Sequence, residues 1–232
     1  MVLDASVPAP VRDTVAAMWR YRERVEHEAA ALFSALAVDL DTAGHPALAH
    51  RARVAAEDER RHADRCRAIV DACGVDLPPL TPRVFDLGPV ADAAGRAGAP
   101  DPGRRALYAS VAIACITETL SCALLIAMRD AATFGPTRAA VDEIIKDEIE
   151  HSRIGWAHLA TCAARADVSW LAAHVAAMRA AALTHDVGEL PTADDLAGYG
   201  ILPRSRVTTI VDATWRDVIV PGLARNGIHL AG

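Results

Sequence analysis

The sequence predicts an all-α protein: a bundle of four long helices, a long crossover between the second and third, and two additional C-terminal helices. Three observations predict it. Hydrophobic residues make up 52% of the 232-residue chain and aromatics only 4%. With abundant Ala, that composition favours helix packed on helix over sheet. Four long segments read as helices, the first by its apolar periodicity and the others by their length between turn and stop signals. Between the second and third of them, Pro78, Pro79, Pro82, Pro89, Pro100 and Pro102 break every helical pattern. The length suits one large domain or two small ones, with room for a sizeable core.

The first helix reads from Val11 to Leu40. Val11, Val15, Met18, Val25, Ala29, Phe33, Leu36 and Leu40 share one side, and Arg20, Glu23, Arg24 and His27 lie opposite. Glu26 sits at the edge of the apolar stripe, and Glu28 lies further round. The stretch Asp41 to Pro46 holds both Gly and Pro and makes a turn. The second helix runs from Pro46 to Cys73, with Gly74 as its stop. Gly74 to Gly103 is too long for an ordinary connection and reads as a crossover along the bundle.

The third helix reads from Arg104 to Ala132. From Ala106 to Met128 its one charge is Glu118. Length alone allows a membrane span. A Glu at the midpoint is expensive in lipid, and no other segment is comparably apolar, so burial inside a bundle is the expectation. Phe134 to Thr137 makes a turn, and the fourth helix follows from Pro136 to Arg165. Two further helices are expected, Ser169 to Thr184 and Pro203 to Leu223, joined by an irregular link. The organisation expected is a bundle over residues 1–165, crossover 74–103 included, and a helical extension over 166–232 packed on it.

Net charge is −6 and no basic block is present. Nucleic acid and membrane are therefore not the expected partners. Met1 to Pro10 lacks a charged segment followed by an apolar core, so it does not read as a secretory signal. Five cysteines without C-x-x-C spacing argue against a disulfide framework or a zinc ribbon, and a cytoplasmic location is expected.

The chemistry concentrates in two copies of one motif, Asp58-Glu59-Arg60-Arg61-His62 and Asp147-Glu148-Ile149-Glu150-His151. On a helix, Glu and His three apart face the same way. With ten Glu and nine His in the chain, a lone Glu-x-x-His arises by chance in roughly four chains out of ten. Two copies that both carry the preceding Asp arise on the order of once in a thousand. An architectural repeat accompanies them: a helix with one inward Glu, then a helix with Asp-Glu-x-x-His, once per half. Glu26 and Glu118 are the inward residues.

Four Glu and two His from four helices make a specific ligand set. Carboxylate and imidazole donors without thiolate suit iron or manganese, and four carboxylates suit two ions better than one. Two divalent ions carry the charge that four buried Glu need neutralised. The same pattern recurs in helix bundles with di-metal carboxylate sites. Competing readings are a solvated Glu26 paired with Arg22 or Arg24, with Glu28 as alternate ligand, and surface histidines at His62 and His151. Asp58 and Asp147 are either solvated charges or partners that hold the ligand histidines. His158 reads as a core or surface residue, and His45, His50, His174, His185 and His229 stand outside any ligand spacing. Cys122, one turn after Glu118, reads as a small core residue.

The motifs around these residues resemble those of the ferritin-like di-iron carboxylate superfamily. The resemblance covers about Met18 to Leu159 and includes the long crossover. It is carried by Glu26 with Phe33 seven residues on, by Glu57-Asp-Glu-Arg-Arg-His62, by Cys115-Ile-Thr-Glu118 and by Asp147-Glu-Ile-Glu-His151. It implies a ferritin-like four-helix bundle in which Glu26, Glu59 and His62 bind one metal and Glu118, Glu148 and His151 the other. Glu59 and Glu148 would be the bridging carboxylates. The implied cofactor is two Fe ions, with Mn/Fe as the variant.

The activity this implies is that of an oxygen-dependent oxidase or oxygenase acting on a small organic substrate. Its partners are dioxygen, that substrate and an electron donor, and a homodimer is compatible with it. The alternative is a ferroxidase or iron-storage subunit. A storage cage is typically built from a bundle with one short final helix, whereas about seventy residues follow the fourth helix here. A rubrerythrin-type peroxidase would bring C-x-x-C pairs, and none is present.

Overall fold

The computed structural model describes residues 3, 7–81, 101–186 and 194–230, and every regular element among them is helical. The bundle comprises α1 (Ala9–Thr42), α2 (Pro46–Ala72), α3 (Pro102–Ala131) and α4 (Gly135–Ala163). Each begins with a proline in its first turn, where the missing N–H costs nothing and the fixed φ suits a helix. Asp101 adds a side-chain cap to α3, accepting from the Gly103 and Arg104 amides at 2.9 and 3.4 Å. Gly44 (φ +82°) makes the turn between α1 and α2, and Gly74 (φ +64°) follows the end of α2. Most of the predicted crossover, residues 82–100, lies outside the described residues.

Cross-helix contacts set the directions. Asp58 meets His151 while His62 meets Asp147, so α2 and α4 run antiparallel. Arg22 meets Ser121 while Asp39 pairs with Arg105, so α1 and α3 run antiparallel too. The short turns at Gly44 and Phe134 reverse the chain within each half. Therefore α2 and α3 run parallel, and the chain must cross the length of the bundle between them. This is the ferritin-like arrangement with one long crossover.

Two of the three apolar clusters among the described residues lie at opposite ends of the bundle axis. At one end Leu36, Leu40, Ala52, Ile113 and Ile154 pack together. At the other end Trp19, Ile69, Leu125, Val141 and Ile144 do the same. Each fully buried Leu or Ile side chain contributes about 1.5–3 kcal/mol. The polar residues of both motifs, on α2 and α4, together with Glu26 of α1 and Glu118 of α3, fall between these two apolar clusters along their helices.

The helix α3 is not a regular α-helix. From Ser110 to Thr117 it is a π-helix, and the Glu118 amide donates to the Ile113 carbonyl five residues back. Thr117 Oγ1 also donates to the Ala112 carbonyl, at 3.0 Å. Such segments arise where a helix must turn a side chain away from its regular phase. The apolar run of α3 is long enough to cross a membrane by length and composition. In the bundle, Glu118 at its centre is 3% exposed.

After α4 the chain continues through a 3₁₀ turn (Ser169–His174), α5 (Val175–Asp186), a second 3₁₀ turn (Asp194–Tyr199) and α6 (Arg204–Thr214). A π-helical segment, Trp215–Ile219, then leads into α7 (Val220–Arg225). Leu171, Val175, Met178, Val207 and Leu223 bury themselves against Leu107, Val111 and Leu120 of α3. The predicted C-terminal helices are thus present, the first shortened at its start by the 3₁₀ turn and the second broken by the π-helical segment.

Candidate metal centre

The structure brings all six predicted residues into one buried cluster. Glu26, Glu59, His62 and Glu148 place one ligating atom each within 4.8 Å of one another, and so do Glu59, Glu118, Glu148 and His151. The two groups share Glu59 and Glu148. All six residues are 1–3% exposed, which removes the readings as solvated Glu or surface His.

Helical phase accounts for the placement. In each motif Glu and His lie one turn apart, and their side chains meet: His62 Nδ1 is 3.2 Å from Glu59 Oε2, and His151 Nδ1 is 3.2 Å from Glu148 Oε2. His151 Nδ1 is also 2.9 Å from Glu59 Oε1, and His62 Nδ1 is 3.8 Å from Glu148 Oε1. The Nδ1 atoms therefore face the carboxylates. Each Nε2 faces away and donates to an Asp: His62 to Asp147 Oδ2 and His151 to Asp58 Oδ2, both at 3.2 Å. The pairing is crossed, so each Asp holds the histidine of the other helix. Arg61, on the exposed side, reaches Asp58 Oδ1 at 2.6 Å and Asp147 Oδ2 at 3.3 Å.

Burial pushes the Glu26 carboxyl well above the usual carboxylate range; the Arg22 charge opposes the rise, while Glu59 and Glu148 add to it. Burial also works to raise Glu59, but hydrogen bonds from His151 and His62 outweigh it and hold the group well below its ordinary range. Desolvation disfavours the charged form of His62, yet the Glu59 hydrogen bond and the surrounding carboxylates push it up to about 9. His151 is raised further by Asp58, Glu148 and Glu59. The cluster is thus a strongly negative environment that stabilises positive charge at its centre.

The donor set fits two divalent metal ions. The ligating atoms are oxygens and imidazole nitrogens, the groups overlap on two carboxylates, and each histidine has its remote nitrogen fixed by an Asp, as metal-ligating histidines commonly do. Phe33, seven residues beyond Glu26, lies 5.2 Å from the His151 ring, centroid to centroid.

Glu28 is buried as well but falls in neither group, and it pairs with Arg24 at 3.5 Å. We expect Glu26→Ala to lower iron bound per chain and Glu28→Ala to leave it unchanged, measured after anaerobic Fe(II) loading and desalting. The reverse result would put helix α1 in the wrong register.

The sequence offered Arg22 only as the charge partner of a solvated Glu26. The structure gives it a further part. Its Nε donates to Glu26 Oε1 at 2.8 Å and a terminal nitrogen donates to Ser121 Oγ at 3.1 Å. Arg22 also lines an apolar pocket of 70 Å³ with Met18, Val25, Leu124, Ile201 and Val207. The signal was the i, i+4 spacing of Arg22 and Glu26; part of the pocket wall, Ile201 and Val207 among it, comes from the C-terminal extension, which no motif connects to the site.

No family model matches the chain, and no curated protein matches it. Among solved structures, a similar one is described as protein 19 with aldehyde deformylating oxidase activity from Synechococcus. It is 20% identical with a TM-score of 0.64, over 98% of this chain and 95% of that one. The superposition extends beyond α4, so the fold is shared along nearly the whole length. The chain has the ferritin-like fold, with four glutamates and two histidines gathered at the centre of its bundle.

Proposed function

We propose that this protein is a di-iron oxidase or oxygenase that uses dioxygen to oxidise a small, largely apolar organic substrate. The observation that carries the reading is the pair of overlapping ligand groups next to an apolar pocket, with Arg22 touching both. Glu26, Glu59 and His62 would hold one ion, Glu118, Glu148 and His151 the other, with Glu59 and Glu148 between them. When bound, two iron ions supply the electrons that activate dioxygen.

The rest is the work of this chain's residues. Asp58 and Asp147 keep the Nε2 protons of His151 and His62, so that Nδ1 of each ring is aimed inward. Arg22 occupies Glu26 Oε1 and leaves Oε2 on the side of His62, 3.9 Å from its Nδ1. The apolar cores at both ends of the cluster keep bulk water out, which strengthens every charge interaction inside. The pocket is small compared with sites of about 300–1,000 Å³ that enclose drug-sized ligands, so it favours a short or slender molecule. Its walls offer Arg22 as a donor to a carbonyl oxygen.

A straight-chain aldehyde is the substrate class to test first. The structural neighbour's described activity concerns aldehydes, and an apolar slot with one guanidinium suits that shape. An external electron donor belongs to the proposal. The test is anaerobic loading with excess Fe(II), then one pulse of oxygen with a reductant and unbranched aldehydes of graded length. About two irons per chain, as the two ligand groups require, with a discrete optical transient and aldehyde consumption, is the expected result. Uptake of many irons into a large assembly would replace the reading with iron storage. An oxygen pulse that yields neither transient nor product would overturn it.

A further inference from the structure

We propose a second, separate metal site, formed by His45, His158 and Cys162, that binds one zinc ion. It lies beyond the six-residue cluster, where the turn between α1 and α2 meets the C-terminal part of α4. One ligating atom of each of the three residues lies within 4.8 Å of the others. Zinc bonds of about 2.0–2.3 Å to nitrogen and sulfur span ligand separations of that order after small side-chain adjustments.

Three features point to a ligand. His158 is fully buried, and its Nε2 has no hydrogen-bond partner among the described residues. A buried ring nitrogen left in that state is costly unless something else satisfies it. Its other nitrogen, Nδ1, is 2.8 Å from Ser110 Oγ. With Nδ1–H donating to Ser110, the lone pair falls on Nε2, the arrangement a metal-bound imidazole needs. The His45 ring stands 4.6 Å from that of His158, centroid to centroid, in an edge-on orientation.

The backbone prepares the set. His158 and Cys162 are four apart on α4 and so share a face. His45 is held by the Gly44 turn, with its amide donating to the Leu40 carbonyl at 2.8 Å. Ser110 opens the π-helical segment of α3. His45 and Cys162 line an open cleft of 270 Å³ together with Arg104, Asp167 and Trp170. That cleft gives zinc an entry path and leaves its fourth coordination position to water. Imidazole with thiolate in tetrahedral geometry selects zinc over the iron expected of the carboxylate cluster. On binding, the Cys162 thiol releases its proton to solvent and the sulfur bonds the ion.

The test uses Co(II) as a spectroscopic probe on protein whose central cluster is first loaded anaerobically with Fe(II). None of the six central ligands is a thiol, so a thiolate-to-cobalt charge-transfer band reports this site alone. We expect the band to saturate with one Co(II), to be erased by Zn(II), to vanish in Cys162→Ser and to persist in Cys122→Ser. Ser110→Ala, which removes the partner of Nδ1, should weaken Co(II) binding about tenfold to a hundredfold with the band otherwise unchanged. A folded protein without the band, or a band that survives Cys162→Ser, overturns the proposal. Neither result bears on iron in the central cluster.

Discussion

Glu148→Ala should abolish two-iron binding. Glu148 belongs to both ligand groups, lies 3.2 Å from His151 Nδ1 and 3.8 Å from His62 Nδ1, and is 1% exposed. Truncating it removes a carboxylate from both groups at once. Iron per chain after anaerobic loading and desalting should fall from about two to one or fewer. Glu118, which belongs to one group only, is the comparison: Glu118→Ala should cost one tightly held iron and leave the other. Helical circular dichroism identifies any variant that has lost iron by unfolding. Two irons retained tightly in Glu148→Ala would show that the shared carboxylate is not a ligand.

The largest effect on stability should come from Gly155→Ala. A Cβ at this position would lie 2.6 Å from the Ser110 carbonyl oxygen, 2.7 Å from the Cys115 amide nitrogen and 2.8 Å from Ala114 Cβ. Two of the three are backbone atoms of the π-helical segment, so no rotamer change relieves the clash and the helices must separate. Overpacking of this kind costs about 1–3 kcal/mol and occasionally more. For a chain of this length each kcal/mol lowers Tm by roughly 2–4 °C, so a drop of about 2–12 °C is expected. Thermal unfolding followed by circular dichroism measures it. The same separation moves α4 away from the segment that leads into Glu118, so iron retention should weaken as well. An unchanged Tm would mean that α3 and α4 do not approach this closely.

The four helices and their crossover were legible because their signals are local or repetitive. Apolar periodicity marked the first helix over Val11 to Leu40, and the observed span, Ala9–Thr42, differs only at its ends. The prolines and Gly74 punctuated the rest. The residues gathered at the centre were legible because two motif copies are improbable and because Glu118 stands alone in an apolar run. The π-helical turn before Glu118 was not legible. Ala106 to Met128 is apolar on every side, so periodicity there carries no phase to reveal a shift. Nor did the sequence disclose which Asp serves which histidine, since that depends on the antiparallel register of α2 and α4. The approach of His45 to His158 is likewise tertiary, created by a turn residue more than one hundred positions away. The pocket wall from Ile201 and Val207 depends on how the C-terminal extension docks, for which the bundle motifs offer no clue.

The crossed Asp–His pairs have a consequence for anyone who would dissect the centre. Because Asp58 steadies His151 and Asp147 steadies His62, neither half of the duplicated motif is self-sufficient. Replacing one whole Asp-Glu-x-x-His block to leave a one-ion protein would also unclamp the imidazole that remains. Sliding α2 by a turn along α4 would break both clamps together. The two helices are keyed to each other like the halves of a lock, and a half-site variant must supply a new anchor for the surviving ring.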